Sequence, residues 1–476
     1  MKDLIAAIDL GTTKVVAAVG KKTPQGVKVV AYAEAPSRGI KRGRVENVKL
    51  ANQALKEALS RVESKLDGQR IKNAFVGIAG QDIKCISTAP FQTQRKNFNE
   101  MITQEEIQEI TDNTYNTVLE DGYKVIYSVP QSFNVDNYMS VSEPIGMIGR
   151  NIVAKYKLFA GKENSRRMIE STLGLSHVKP IEIVIEPIAS AKAVLTEDEM
   201  EVGSIMVDIG GGTTDVIVYH HNVIRYAGII PFGGNIITED ICTGCGISQK
   251  NAEYIKTHYG CCFSDYAEAG KKIVLPSVGG ASGKEIQIKT LSKIIQARME
   301  EILEAVCWHV EQSGFKDVIR SGMVLTGGGS KMGNITNLAN YVTGFEARVA
   351  TPNSFSIDPA SSEAAKDATS STAVGMLIYA FQKMDEDGVY FPDCLEDAAK
   401  VETTFIPQQK EENKLFGDEG SDSKMETVNV GAESAENRDK RGKKSGGFFG
   451  FGRAIKSVKI KNVLDGTGLF DNNDEV

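Results

Sequence analysis

Met206-Val-Asp-Ile-Gly-Gly-Gly-Thr-Thr-Asp-Val-Ile-Val-Tyr219 reads as an apolar strand, Ser204 to Val207, then an aspartate, a glycine triplet, two threonines and a second strand. Glycine has no Cβ, so such a backbone turns tightly and approaches an anion closely. Successive N–H groups in the turn form an anion-binding concavity. Gly210, Gly211 and Gly212 are therefore candidate phosphate contacts, and Thr213 and Thr214 candidate hydroxyl donors. Asp208 stands where a carboxylate can hold hydrated Mg²⁺, an ion that prefers oxygen ligands and keeps several waters. Taken alone, the stretch also fits an ordinary hairpin with a glycine-rich turn.

A second copy near the start changes that balance. Leu4-Ile-Ala-Ala-Ile-Asp-Leu-Gly-Thr-Thr-Lys-Val-Val-Ala-Ala-Val19 has the same order: strand, Asp9, Gly11, Thr12, Thr13, Lys14, strand. Two such hairpins suggest two related halves facing one phosphate chain. A third piece, Met323-Val-Leu-Thr-Gly-Gly-Gly-Ser330, is again a strand running into glycines. The ordered trio resembles the phosphate-1, phosphate-2 and adenosine motifs of the actin, Hsp70 and sugar-kinase superfamily. That resemblance implies a duplicated, ribonuclease H-like α/β core that binds ATP with Mg²⁺.

At 476 residues the chain exceeds one ordinary core, so two or more domains are expected. With 41% hydrophobic and 25% charged residues it has the composition of a soluble globular protein. The net charge of -7 gives no basis for general nucleic-acid affinity, which needs a clustered basic face. The apolar run after Met1-Lys2-Asp3 is interrupted by Asp9 and reads as a buried strand, not a signal peptide. No stretch reaches the roughly 20 apolar residues that span a bilayer. Seven scattered cysteines suit free thiols in a reducing cytoplasm. Cys242 and Cys245, with Cys261, Cys262 or His258, are a weak zinc pattern, because adjacent cysteines reach one metal poorly.

Along residues 1–84, strand and helix signals alternate, as an α/β layer arrangement requires. Asn47 to Ser64 carries Val48, Ala51, Leu55, Ala58, Leu59 and Val62 at helical spacing, and Ala74–Ala79 reads as a buried strand. The texture changes over 85–162. Thr103-Gln-Glu-Glu106 opens a helix with a capping box, and strand-like runs cover Lys124–Tyr127 and Asn151–Ala160. This predicts an inserted subdomain. Helix is expected over Asn164–Leu173 and strand over Ile181–Ile185, and Glu186-Pro187 starts a helix. Further helices are expected at Ile236–Cys242, Ser248–Tyr259, Thr290–Gln312 and Ser371–Ala380. Beyond about Lys383 the polar composition predicts loss of order, because it buries too little surface to offset chain entropy.

Within the superfamily the sequence resembles FtsA, the actin-like family of bacterial cell division. The residues that carry this are Ala35-Pro-Ser-Arg-Gly-Ile-Lys-Arg-Gly43, the 85–162 insertion with Val129-Pro-Gln131 and Glu143–Gly149, Leu195-Thr-Glu-Asp-Glu199, Val274–Gly280 and Ile294–Ile302. The resemblance implies subdomain 1A over 1–84 with 163–198 and 362–384, and 1C over 85–162. It places 2A over 199–230 with 315–361, and 2B over 231–314. A charged linker over 385–445 and an amphipathic membrane-targeting tail over 446–476 follow. The linker is long for the family, and residues 462–476 run past its usual end.

The same resemblance implies self-association into filaments, binding of the C-terminal tail of the tubulin-like protein FtsZ, contact with other divisome proteins, and a peripheral place on the cytoplasmic face of the membrane at midcell. It implies at most slow ATPase turnover. Gly233, Gly234, Gly327, Gly328 and Gly329 are expected to border ribose and adenine. Glu253 and Lys256, three apart on a helix face, match the superfamily's ribose–adenine contacts or form a surface ion pair. Glu186 is expected either to orient a hydrolytic water or to serve as a helix N-terminal acid. Arg298 is expected either to meet a carboxylate of the partner tail or to pair internally with Glu301. A small-molecule kinase needs a second substrate pocket, for which no motif is present. An Hsp70-type chaperone needs a β-rich domain after residue 380. A pilus-assembly relative shares the ATP core but lacks an amphipathic tail.

In that tail Phe448, Phe451, Ile455 and Val458 recur at spacings of three and four, one helical face, with Phe449 beside them. Arg453, Lys456, Lys459 and Lys461 supply charge for anionic lipid heads, about 1 kcal/mol each. Gly446, Gly447, Gly450 and Gly452 oppose helix at its start. A tail that folds only on lipid accommodates both features.

Overall fold

The computed structural model describes residues 4–268, 270–276, 283–352, 356–386 and 388–398. Both glycine-rich stretches fold as antiparallel hairpins. Strand Leu4–Leu10 pairs with Lys14–Thr23, placing Asp9 opposite Val16. Strand Ser204–Ile209 pairs with Thr214–His220, placing Asp208 opposite Asp215.

Each hairpin is the heart of a five-stranded sheet, and the two sheets share one plan. In the first, the spatial order is Lys179–Ile185, Asn73–Ile78, Leu4–Leu10, Lys14–Thr23, Gly26–Pro36. In the second it is Ala347–Val349, Met323–Thr326, Ser204–Ile209, Thr214–His220, Val223–Ile230. Three antiparallel strands are followed by two parallel ones in each. The duplicated actin-like α/β core expected from the sequence is thus present.

The central strands are buried on both faces, Val15 to Val19 without a break. Parallel neighbours need helical crossovers, so both faces acquire helices. Helix Val48–Glu63 packs on strands Lys14–Thr23 and Gly26–Pro36, and helices Glu186–Val194 and Ser371–Glu386 pack on each other near Leu4–Leu10. Gly375 makes that crossing possible: a Cβ there would overlap the Ala189 carbonyl. In the second half, helix Ile288–Ser313 buries Ile295, Met299, Ile302, Val306 and Val310 against its sheet.

The insertion has a core of its own, built on Phe133, Ile152, Tyr156 and Leu158, and the capping box of helix Gln104–Thr114 is formed. Its strand Tyr123–Val135 is far longer than Lys124–Tyr127. Pro130 interrupts the strand signal, and the sheet accommodates it at a register shift between Pro130 and Ser132. Strand Tyr138–Val141 and the hairpin Lys272–Leu275 with Lys284–Gln287 were not expected.

The expected loss of order after Lys383 comes too early. The closing helix runs to Glu386, and Leu395–Asp397 then pairs antiparallel with Gln69–Ile71. The backbone N–H groups of Lys72 and Asn73 donate to the Cys394 carbonyl, and Phe391 meets Phe75 edge to face at 4.9 Å. The chain is therefore tied to the first sheet through Ala398, past the boundary placed at 385. The linker from 399 and the tail 446–476, including Phe448, Phe449, Phe451, Arg453, Ile455, Lys456, Val458 and Lys459, lie outside the described residues.

Because Phe391 fastens this segment to the core, Phe391→Ala is expected to cost roughly 2 kcal/mol, the scale of one apolar side chain. Urea unfolding of the full chain monitored by circular dichroism checks it.

Candidate functional site

The turns of the two hairpins and the Gly327–Gly329 loop face one cleft of about 490 Å³, within the usual range for small-molecule sites. Its walls include Asp9, Gly11, Thr12, Thr13, Lys14, Glu186, Asp208, Gly210, Gly211, Gly212, Thr213, Gly234, Glu253, Lys256, Gly327, Gly328 and Gly329. The two turns touch. A Cβ on Gly211 would overlap the Thr13 hydroxyl, and one on Gly212 the Thr12 side chain. Gly327 has φ +81°, and a Cβ there would strike Asp208 Oδ1. The glycines thus let the turns interlock and let the third loop sit against the carboxylate.

Asp208 Oδ2 accepts from Ser190 Oγ at 2.7 Å and Thr372 Oγ1 at 3.4 Å. Asp9 Oδ1 and Asp215 Oδ1 are buried and accept from no group among the described residues. Burial pushes the Asp9 carboxyl up to about 7, opposed by the Lys14 charge and aided by Asp208. Burial, then Asp208 and Asp9, raises Asp215 well above the usual carboxylate range. Glu186, at the start of its helix, is raised well above that range by burial and then by Asp9, Asp215 and Asp208. Four carboxyl groups crowd one another here, two with oxygens that accept no hydrogen bond among the described residues, and either protonation or a nearby cation would relieve them.

Among the described residues no three His, Cys, Asp or Glu side chains are grouped to grip a metal directly. Asp9 and Asp208 therefore suit an ion that keeps its waters, as Mg²⁺ does. The cysteines near 242–262 form no such group either.

Lys14 lines the cleft but is held by Glu34 at 2.6 Å, Thr369 at 2.9 Å and Tyr32 at 3.3 Å. Lys256 is buried, donating to Gly234 O at 2.9 Å and Thr238 Oγ1 at 2.8 Å, and pairs with Glu253 at 2.8 Å. The Glu253–Lys256 pair is therefore a wall of the cleft rather than a bland surface bridge.

Two expectations are corrected. Thr214 is fully buried outside the cleft and donates to the Phe232 carbonyl at 3.0 Å. Alternation along a strand turns Thr213 in and Thr214 away. Gly233 is not on the wall either; its Cβ position lies 2.7 Å from Thr213 O, so it lets the next helix close on the turn. For Arg298 the internal pairing, one of its two expected roles, is present, with Asp240 added to it. The guanidinium forks onto Asp240 at 2.6 and 3.1 Å and pairs with Glu301 at 2.5 Å. Sequence reasoning missed Asp215, which lies inside the diagnostic stretch and passed as a strand residue. It also missed Glu34, Asn235, Lys331, Met332, Thr369 and Thr372, which line the cleft from separate segments.

Residues 205–375 match the family model described as cell division protein FtsA, and residues 80–160 match the SHS2 domain inserted in FtsA. The cell division protein FtsA of Pseudomonas aeruginosa is 33% identical over 384 residues, covering 80% of this chain and 90% of that protein. The chain belongs to the FtsA family. The FtsA of Neisseria meningitidis is 33% identical, covering 78% and 89%, and that of Escherichia coli K12 is 29% identical, covering 79% and 90%. Among solved structures, a PilM–PilN type IV pilus biogenesis complex matches with a TM-score of 0.56 at 15% identity, over 80% of this chain and 98% of that one. It shares the fold alone. The SHS2 match coincides with the inserted subdomain, so the FtsA family's own insertion accounts for the extra sheet. Among the described residues no helix is long and apolar enough to cross a membrane.

The raised Asp9 carboxyl has a defined consequence for stability. Its ordinary value is 3.8, so between there and about 7 the folded protein holds a proton that the unfolded chain has lost. That contribution is full below 3.8 and is lost as pH rises through about 7. Magnesium-free, nucleotide-free protein is expected to melt at progressively lower temperature from about pH 5 to pH 8. Asp9→Asn should flatten the slope in thermal melts across that range.

Proposed function

We propose that the protein is an ATP-binding, actin-like cell-division protein that polymerises on the cytoplasmic face of the membrane, tethers the FtsZ ring there and helps assemble the divisome at midcell. The observation that carries the nucleotide reading is the pair of interlocked glycine turns facing Asp9 and Asp208, in a chain of the FtsA family. Mg²⁺ bound with ATP would supply charge neutralisation at the phosphates. Asp9 and Asp208 hold its waters, Gly11 to Thr13 and Gly210 to Thr213 offer backbone and hydroxyl donors, and Gly234, Glu253, Lys256 and Gly327–Gly329 border the nucleoside.

Slow turnover at most is consistent with Glu186. Burial, and then three neighbouring aspartates, raise its carboxyl well above the usual carboxylate range, which disfavours the carboxylate form that a general base needs until the cleft's negative charge is offset. The partner reading for the long helix rests on the family. Because Asp240 and Glu301 already occupy Arg298, a carboxylate of the FtsZ tail has to displace one of them. The membrane reading rests on the basic, aromatic residues 446–461. One short apolar face binds lipid weakly, and a filament presents many tails at once, so avidity completes the attachment.

Asp208→Ala is expected to weaken binding of a fluorescent ATP analogue with Mg²⁺ by tenfold or more, about 1.4 kcal/mol. Equal affinity in mutant and wild type would remove Asp208 from the site. Deleting residues 446–476 should abolish co-sedimentation with anionic vesicles while leaving nucleotide affinity intact. Persistent sedimentation of the truncated chain would end the tether reading.

A further inference from the structure

The basic segment within Ala35–Gly43 reaches the cleft, where Gly43 forms part of the wall. Ile40–Lys41 and Arg44–Val45 form a small hairpin whose turn is Arg42-Gly43, with φ +48° and +71°. A non-glycine residue held at positive φ marks a position that its surroundings enforce. Two contacts enforce this one. On the cleft side, the Gly43 N–H donates to Thr12 Oγ1 at 2.9 Å. On the far side, the turn lies against Gly80: a Cβ on Gly43 would sit 2.9 Å from Gly80 N, and one on Gly80 2.7 Å from the Arg42 carbonyl.

Gly80 is where the chain leaves the first sheet for the inserted subdomain, and Asp82 is the clasp of that junction. Buried Asp82 accepts from Ser165 Oγ at 2.6 Å and meets Lys162 at 3.4 Å, both on the returning strand or the helix after it. Its other cation is Arg44 of the hairpin, at 3.4 Å. Both crossings between core and insertion are thus fastened to the hairpin, and the hairpin is fastened to the first phosphate turn.

We infer that Thr12 relays occupancy of the phosphate turns, through the Arg42-Gly43 hairpin, to the root of the inserted subdomain. The inference rests on the nucleotide reading of the cleft. The Thr12 hydroxyl accepts from Gly43, and among the described residues it donates its own proton to no group. An anion seated on Gly11–Thr13 accepts a hydrogen bond from that hydroxyl, fixes its orientation and so fixes the Gly43 N–H that points at it. Gly43 and Arg44 then hold Gly80 and Asp82 in one arrangement. Backbone packed this closely passes a displacement on rather than absorbing it. Coupling of this kind is reciprocal, so the ordering of the root and the affinity for nucleotide are linked.

Hydrogen-exchange mass spectrometry of the full chain, with Mg²⁺ and a non-hydrolysable ATP analogue at saturation, tests the relay. In the wild type, amides of 80–83 and 161–163 are expected to exchange about fivefold more slowly with the analogue, the lower end of ordinary coupling. Thr12→Val, compared at full occupancy, should lose that protection and Thr12→Ser should keep it. Arg44→Ala, outside the cleft, should lose protection at 161–163 while 10–14 stays protected. Root protection that survives both Thr12→Val and Arg44→Ala overturns the relay, as does analogue that protects 10–14 without touching 161–163. A wild type that binds no analogue overturns the nucleotide reading itself.

Discussion

Crowding of carboxyl groups in one cleft is the constraint on which the rest depends. Asp9 and Asp208 come from equivalent strand ends of two sheets with the same plan, and Asp215 and Glu186 are brought in beside them. A group of buried carboxyls is unfavourable unless protonated or matched by cations. The fold offers Lys14 against one of them and hydroxyls from Ser190 and Thr372 against another, and leaves oxygens of Asp9 and Asp215 unmatched. Such a site is costly as scaffolding. The surrounding packing has to be secure enough to tolerate it. Both sheets are covered by helices on their faces, and Gly375 lets two of those helices meet backbone to backbone.

The interlock of the turns follows from the same constraint. Thr12 and Thr13 reach into space left by Gly211 and Gly212, so the two halves meet through side chains on one turn and bare backbone on the other. Any side chain on those glycines would separate the halves and open the cleft to water. A lower local dielectric strengthens every electrostatic interaction, so the fit of the two turns bears directly on how strongly the carboxyl groups between them interact.

Much of this was legible in the sequence because it is local. An aspartate at a strand end followed by glycines and threonines specifies a hairpin turn within a dozen residues, and it occurs twice. The capping box at Thr103 and Glu106 and the apolar stripe of Val48–Glu63 are local for the same reason. What escaped was set by partners distant in sequence. Lys14 is turned by Glu34 and by Thr369, which lies 355 residues away. Arg298 is occupied by Asp240, 58 residues before it. Leu395–Asp397 forms a strand only because Gln69–Ile71 offers an edge. Thr214 and Gly233 were misplaced by a single step of strand alternation and by reading a packing glycine as a contact glycine.

The segment 388–398 shows how average composition hides structure. The stretch heads a long polar run that dilutes its own apolar residues, and Phe391, Cys394 and Leu395 are enough to dock it, because the strand edge and the Phe75 face already exist. Ordering a few residues onto a preformed surface costs less entropy than building a new core, so three apolar side chains and a short ladder suffice. The docked strand also fixes where the remaining chain departs: beside Gly68, whose carbonyl accepts from the Ala398 N–H.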